Sequence, residues 1–480
     1  MKKFIILSLL IMSIFFSCQK QKIAVLQGKI IMPAEESLML KNTEDEEAIA
    51  DTVVIDKDGN YSFSLKLDKP TFYQLRVSSD LILDVFLTPG DELTLNIDMT
   101  KPYDQIKFTG TGEKLNNFML ERFMADKYQM PPKMYLFRLP EGAFSRTMDS
   151  MLDARRKDLQ DFTSSLQKEL KSSAQKKSLE YFKKIYETNL LFDYASTFLV
   201  YRNNYGYLIQ QPDYTFSPEF DNYLKNVDLN DENNISSKSF RRFISRYISS
   251  LVDPAYEKDT IAQQSETGYS TMRYQKAAEI LKLGKAREFA LYEIMLEQVN
   301  YYGVKNIDKL MSMFRKDCHN QNYLKSIEEK IKLWDKIAPG KDAPVFSYPD
   351  ENGKMYSLAD FKGKLVYLDV WATWCGPCVG EIPHFEKLAK EYTGKNIIFL
   401  QISVDDNENE WRNFKKIMAD NVIQLYAGGW QSKIADDYLI KSIPRFILID
   451  QDGKIIDNNA SRPSDLKTRA LINEHLSAIN

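Results

Sequence analysis

The sequence predicts a multidomain chain: an N-terminal antiparallel β-sandwich, an all-α middle domain and a C-terminal α/β domain. Three observations carry this reading. Between about 23 and 110, apolar and polar residues alternate with a period of two, the pattern of half-buried strands. From about 113 to 337 the apolar spacing lengthens to three and four residues, the period of amphipathic helices. From 364 onward an apolar run, a Cys-x-x-Cys and a helical stretch follow one another. The boundaries read as 1–17, 18–111, 112–337 and 338–480, the first being a leader.

At 480 residues the chain can bury several cores. With 64 Lys and Arg against 67 Asp and Glu it carries no basic footprint for nucleic acid, and four cysteines are too few for a disulfide-stapled scaffold. In the leader, Lys2-Lys3 precede an apolar run from Phe4 to Phe16 that is too short to span a bilayer comfortably and reads as the core of a signal peptide.

Phe15-Phe16-Ser17-Cys18 resembles a bacterial lipobox, with Phe15 where leucine is usual and Phe16 where a small residue is usual. The resemblance implies a diacylated Cys18 as first mature residue, and so attachment to a membrane through lipid. Gln19-Lys20 carries no acidic retention signal, which points to a lipoprotein facing the periplasm from the outer membrane of a Gram-negative bacterium. The other reading is an uncleaved anchor, which also leaves the body outside the cytoplasm.

In the β-region, Tyr61, Phe63, Leu65 and Leu67 alternate with Ser62, Ser64 and Lys66, behind a hairpin signal at Asp58-Gly59. Leu93, Leu95 and Ile97 form a second alternating set and Tyr73, Leu75 and Val77 a third. The acidic run Glu44-Asp45-Glu46-Glu47 reads as a solvated loop, with a calcium site as the alternative. In the helical region, Phe144, Met148, Met151 and Leu152 lead one apolar stripe; Phe289, Tyr292, Met295, Leu296 and Val299 form another. Breaks are expected at Pro131-Pro132, Asn203–Gly206, Gln211–Pro218, Asp228–Asn234 and Asp253–Gly268. The tyrosines (Tyr194, Tyr201, Tyr205, Tyr207, Tyr301, Tyr302) either pack in the core and at helix edges or line a groove. Cys318, beside His319, reads as a lone, partly buried thiol, with a resolving role as the alternative.

In the last domain, Phe346–Tyr348 and Met355–Ser357 flank Glu351-Asn352-Gly353 as a hairpin. Lys364–Trp371 is a buried strand, Ile397–Val404 another, Phe446–Asp450 and Lys454–Ile456 a closing hairpin, and Ser464–Ile479 a final helix. Between the first of these strands and its helix sits Trp374-Cys375-Gly376-Pro377-Cys378. Unpaired N–H groups and the positive end of the dipole stabilise a thiolate at a helix start, lowering its pKa to roughly 3.5–7.5. Zinc would require a second ligand pair, and neither Cys18, Cys318 nor His319, His384 and His475 has ligand-like spacing.

This pentapeptide, with Asp369-Val370-Trp371-Ala372 before it, resembles the active site of thioredoxins; Val379-Gly380-Glu381-Ile382-Pro383 after it resembles the membrane-tethered TlpA/ResA-type thiol–disulfide oxidoreductases. The resemblance covers about 338–480 and implies the thioredoxin fold for that domain. The β-region in turn is similar to the domain ahead of thioredoxin modules in Bacteroidetes lipoproteins. The C-terminal likeness implies Cys375 as attacking thiolate, its sulfur facing solvent, Cys378 as the buried resolving thiol, and a redox disulfide between them. Two carboxylates match proton acceptors of the family, Asp369 six residues before the first cysteine and Glu381 three after the second; the choice stays open. Ile443-Pro444 resembles the cis-proline loop, whose backbone would receive a substrate peptide as an added strand, beside Trp374. Trp371 and Trp374 also read as packing residues, and Pro383 as a helix kink.

The implied function is a lipid-anchored, extracytoplasmic reductase of protein disulfides, needing no cofactor beyond its dithiol and a membrane thiol–disulfide protein as electron donor. Gly376-Pro377 is the dipeptide of reducing thioredoxins, which sets the expected direction. Two alternatives stand beside it. A thiol peroxidase needs Pro-x-x-x-Thr-x-x-Cys, where this chain has Leu368 and Ala372. A binding lipoprotein would use the β- and helical domains for a ligand or partner and the redox module as an auxiliary. Val379 follows Cys378, so the chain holds no haem-attachment motif there, and cytochrome maturation is conceivable only as action on a partner.

Overall fold

The computed structural model describes residues 22–477 apart from 46–49, 102, 104–105, 130–132, 416–417 and 419–420. The leader, Cys18 and the expected break at Pro131-Pro132 lie outside the described residues. The chain forms two compact units, 1–246 and 247–480.

The first unit opens with β1 (Lys22–Ile31), β2 (Ser37–Asn42), β3 (Asp51–Val54), β4 (Asn60–Leu67), β5 (Thr71–Arg76), β6 (Ile82–Leu87), β7 (Glu92–Leu95), β8 (Ile97–Asp98) and β9 (Phe108–Gly110). They make two sheets, ordered β4-β1-β7-β9, with β8 also on β1, and β3-β2-β5-β6. The alternation in β4 is realised residue by residue: Tyr61, Phe63, Leu65 and Leu67 are buried and their neighbours exposed. The sandwich core gathers them with Leu26, Leu40, Leu75, Val85, Leu93 and Phe108.

The sandwich departs from the expected pattern at two points, the turn at Asp58-Gly59 and the pairing of β1 with β7. Asp58-Gly59 does make a turn, with Asp56 Oδ1 accepting from the backbone N–H of Asp58 and Asn60. However, the strands it joins belong to different sheets, so it is a corner and not a hairpin. The chain alternates between sheets, and β7 arrives from the opposite one, free to lie parallel to β1.

Helices α1 (Glu113–Gln129), α2 (Lys133–Phe137), α3 (Glu141–Glu169) and α4 (Ser173–Leu208) follow, and the division at Arg246 falls within α5 (Lys238–Tyr256). They cover the outer face of the second sheet: Phe72 and Phe86 meet Phe118, Leu159 and Phe182, with Phe72 stacked on Phe182 at 5.6 Å. Tyr194, Tyr201 and Tyr205 are core residues, Tyr201 stacking on Phe144 at 3.8 Å; Tyr207 is exposed. The break expected at Asn203–Gly206 is absent because α4 runs through it. Gly206 serves a close approach instead: a Cβ there would lie 2.7 Å from Gln211 O of the returning chain. Glu44, expected in a solvated loop, accepts hydrogen bonds from Phe72 N and Tyr181 Oη and pairs with Lys69.

The second unit begins within α5 and continues through α6 (Thr260–Gln264), α7 (Gly268–Ile280), α8 (Lys285–Glu297), a π turn at Gln298–Tyr302, α9 (Asp308–Asp317) and α10 (Gln321–Trp334). Then come the hairpin β10 (Ser347–Pro349) and β11 (Met355–Ser357), and β12 (Leu365–Trp371), α11 (Gly376–Glu391), β13 (Ile397–Ser403), α12 (Glu408–Lys415), β14 (Ile423–Tyr426), α13 (Lys433–Asp437), β15 (Arg445–Ile449), β16 (Ile455–Ala460) and α14 (Leu466–Ser477). The sheet order is β14-β13-β12-β15-β16: β12, β13 and β14 are parallel, β15 and β16 antiparallel to their neighbours. This is the thioredoxin fold with its added hairpin; β14 went unread in the sequence. Phe385 and Leu388 of α11 and Ile472 of α14 share a core with Tyr367, Phe399 and Phe446.

Consecutive asparagines join α1 to the sandwich. Asn116 accepts from Phe86 N and donates to Phe86 O, both at 2.8 Å, on the edge strand β6. Asn117 does the same for Phe108 of β9, at 2.8 and 2.9 Å. Asn116 is fully buried, so Asn116→Ala strands two backbone groups. It should cost about 2 kcal/mol in denaturant unfolding of the full chain, against well under about 1 for an exposed helix position; equal costs would show that the amide does not hold the edge.

Candidate active site

Every residue of β12 is buried, and the strand delivers its chain to the start of α11. The intervening turn is anchored by Asp405, unread in the sequence: Thr373 donates to it through N, at 3.1 Å, and Oγ1, at 2.7 Å, and Ser403 Oγ adds a third bond. Cys375 then takes the N-cap position, its sulfur accepting from Cys378 N at 3.2 Å. Cys375 and Cys378 are joined in a disulfide.

Cys375 is 6 % exposed and Cys378 is 0 % exposed. The first sulfur is therefore more covered than a solvent-facing thiol, because the Ile443–Pro444 loop lies over it. That peptide is cis, and Ile443 O stands 3.7 Å from Cys375 Sγ. Trp374, 60 % exposed, projects beside the disulfide, with Trp430 at 6.3 Å between ring centroids.

The two carboxylates have different surroundings. Glu381, one turn after Cys378 and on the same face of α11, accepts from Ser464 N at 3.1 Å and Ser464 Oγ at 2.9 Å, with Arg462 Nη1 at 3.8 Å. It is tied to the chain entering α14. Asp369 lies in the middle of the sheet, and burial pushes its pKa up to about 7; the Gln401 hydrogen bond works downward and the charge of Glu381 upward. Its Oδ2 accepts from Gln401 Nε2 at 2.7 Å, and Oδ1 has no hydrogen-bond partner among the described residues. Gln401 Oε1 in turn accepts from Gln424 Nε2 at 2.6 Å. The three stand in register on β12, β13 and β14, so two amide dipoles point their N–H ends towards one carboxylate. Both glutamines interrupt apolar strand runs, a signal of the kind that singled out Asp369.

Cys318 caps the end of α9, buried, and burial pushes its thiol up to about 11. Glu288 lies between it and His319, 3.9 Å from the sulfur and 3.4 Å from His319 Nδ1. Among the described residues, no group of three or more His, Cys, Asp or Glu could hold a metal ion, and no helix is long and apolar enough to cross a membrane.

Residues 338–470 match the Redoxin family, and residues 24–117 match a domain of unknown function (DUF4369). Thiol-disulfide oxidoreductase ResA of Bacillus cereus is 36% identical over 132 residues, covering 27% of this chain and 71% of that protein. Thioredoxin-like protein YneN of Bacillus subtilis is 38% identical over 124 residues, covering 25% and 71%. Among solved structures, a thiol-disulfide oxidoreductase from Bacteroides fragilis is 30% identical, covers 28% of this chain and 98% of its own, and has a TM-score of 0.26.

The elevated Asp369 sets a pH dependence whose sign is fixed. Its folded pKa, about 7, lies above its ordinary 3.8. The folded form holds the proton where the unfolded form has released it, so stability falls as pH rises from about 4 to about 7 and then levels. Asp369→Asn should raise the melting temperature more at about pH 8 than at about pH 4. Gln401→Met, which removes the donor, should lower it more at about pH 8. Shifts equal at both pH values would show that the carboxylate does not titrate in this range.

Proposed function

Because the chain belongs to the TlpA/ResA-like thiol–disulfide oxidoreductases of the thioredoxin superfamily, we propose that it reduces disulfides in protein substrates through Cys375 and Cys378. One observation carries the reading: a disulfide at the N-terminus of α11, with the Ile443 carbonyl 3.7 Å from the first sulfur. In the reduced enzyme the Cys375 thiolate attacks one substrate sulfur. An enzyme–substrate disulfide forms and one substrate thiolate leaves. Cys378 gives up its proton and attacks Cys375 Sγ, the mixed disulfide breaks, and the second substrate thiolate departs. Two electrons pass to the substrate, whose two thiolates each take up a proton.

Asp369 is the favoured acceptor of the Cys378 proton. A base operating near neutrality needs a pKa near 7, and Asp369 has one, whereas Glu381 is occupied by Ser464. Ile443 and Pro444 are assigned to the substrate backbone and Trp374 to its side chains. We place the domains at 18–111, 112–337 and 338–480; the Redoxin match from 338 supports the last boundary, while the compact unit 247–480 also takes in the later helices of the middle region. Cys18 is assigned as the lipidation site, with the body facing the periplasm and a membrane thiol–disulfide protein restoring the dithiol. The support is the leader sequence.

Cys375→Ser should abolish reduction of a protein disulfide, and Cys378→Ser should accumulate a mixed disulfide that identifies the substrate. Equilibration of the full chain with glutathione should give a potential near the reducing thioredoxins, roughly −270 mV; a value near −120 mV would reverse the direction. Mass spectrometry of the membrane fraction should find a chain beginning at diacylated Cys18. An unmodified cysteine there would remove the anchor.

A further inference from the structure

Arg445 opens β15 directly after Pro444 and is 1 % exposed. Among the described residues it forms no ion pair. Its Nη2 donates to Tyr301 O at 3.3 Å and its guanidinium lies over the Trp334 ring, 5.5 Å from the centroid. Nη1 has no hydrogen-bond partner among the described residues. Burial pushes its pKa down to about 10, with the charge of Asp457 acting the other way. A buried cation so thinly compensated is costly, and an apolar side chain of similar volume would be the more stable filling. A cation placed there at that cost points to a role other than filling the core.

The surface that holds it is built for the purpose. After Glu297 the backbone enters a single π turn, Gln298–Tyr302, stopped by Gly303 at φ 79°. Such turns leave carbonyls without helical partners and recur at functional positions. Here Tyr301 O faces Arg445, and Tyr302 O accepts from Asn459 Nδ2 of β16 at 3.0 Å. Gln298 Nε2 fixes the turn through Gly303 O at 3.0 Å, and Asn458 Nδ2 donates to Ile337 O at 2.8 Å. Trp334 fits against Gly303 so closely that a Cβ there would lie 3.3 Å from its ring.

We propose that Arg445 is a positioning residue for the Ile443–Pro444 peptide, and that the π turn and Trp334 of the helical segment hold it there as part of the redox site. Only Pro444 separates Arg445 from Ile443, whose carbonyl faces Cys375 Sγ. The inference rests on the reading that Ile443 receives the substrate backbone. A protein substrate needs that strand held in place, whereas a small disulfide needs only the exposed edge of Cys375.

The test uses the reduced full chain and two substrates, a disulfide-bonded protein and a small aromatic disulfide. Arg445→Met should lower kcat/KM for the protein by about ten- to a hundredfold, mainly through KM, and for the small disulfide by less than about threefold. Asn459→Ala, at an exposed position of the same grip, should move that ratio the same way by about threefold, and it decides the matter if Arg445→Met does not fold. Wild-type protein inactive on both substrates would sink the functional reading. With wild type active, equal losses on both substrates, or none on either, would overturn the positioning role.

Discussion

A carboxylate without access to water governs the composition of the redox domain. Asp369 sits on the central strand of the sheet, where all seven residues of β12, itself included, are buried. No cation is placed against it among the described residues. The sheet answers with dipoles instead: Gln401 on the adjacent strand β13 and Gln424 on β14 beyond it stand in register, both amides oriented towards the acid. Dipoles offset part of the desolvation cost and leave the group balanced near neutrality, where a counterion would have fixed it as an anion. A proton acceptor serving a buried thiol needs that balance.

The redox motif was legible because its information is local. The cysteines, the helix start, the acid in an apolar strand and the Ile-Pro step are each visible within a few residues of sequence. Helix and strand periods were legible for the same reason, down to single positions in β4. What escaped the sequence depends on which strand lies beside which. Gln401 and Gln424 acquire meaning only through register, Asp405 only through its reach back to Thr373, and the parallel pairing of β1 with β7 only through the alternation between sheets. Gly206 was misread for a related reason: close approach of a distant backbone and a helix break select the same residue.

The helical region read as one stretch serves two hosts. Its earlier helices complete the outer face of the sandwich, where Phe72 and Phe86 would otherwise meet water but pack on Phe182 of α4. Its later helices belong to the compact unit that holds the disulfide, and they present backbone carbonyls to the β15–β16 hairpin. A change of apolar period marks where helices begin but carries no sign of which core each one joins.

The asparagine pair on α1 has a consequence for solvent exchange. Phe86 and Phe108 occupy the edge strands of two different sheets, where outward-facing amide protons normally exchange with water almost freely. Here each is held by a side-chain oxygen of the same helix, so both exchange only when α1 lifts. Two amides 22 residues apart in sequence, in the two different sheets of the sandwich, thus share one opening event. Their deuterium uptake reports the lifting of a helix to which neither belongs.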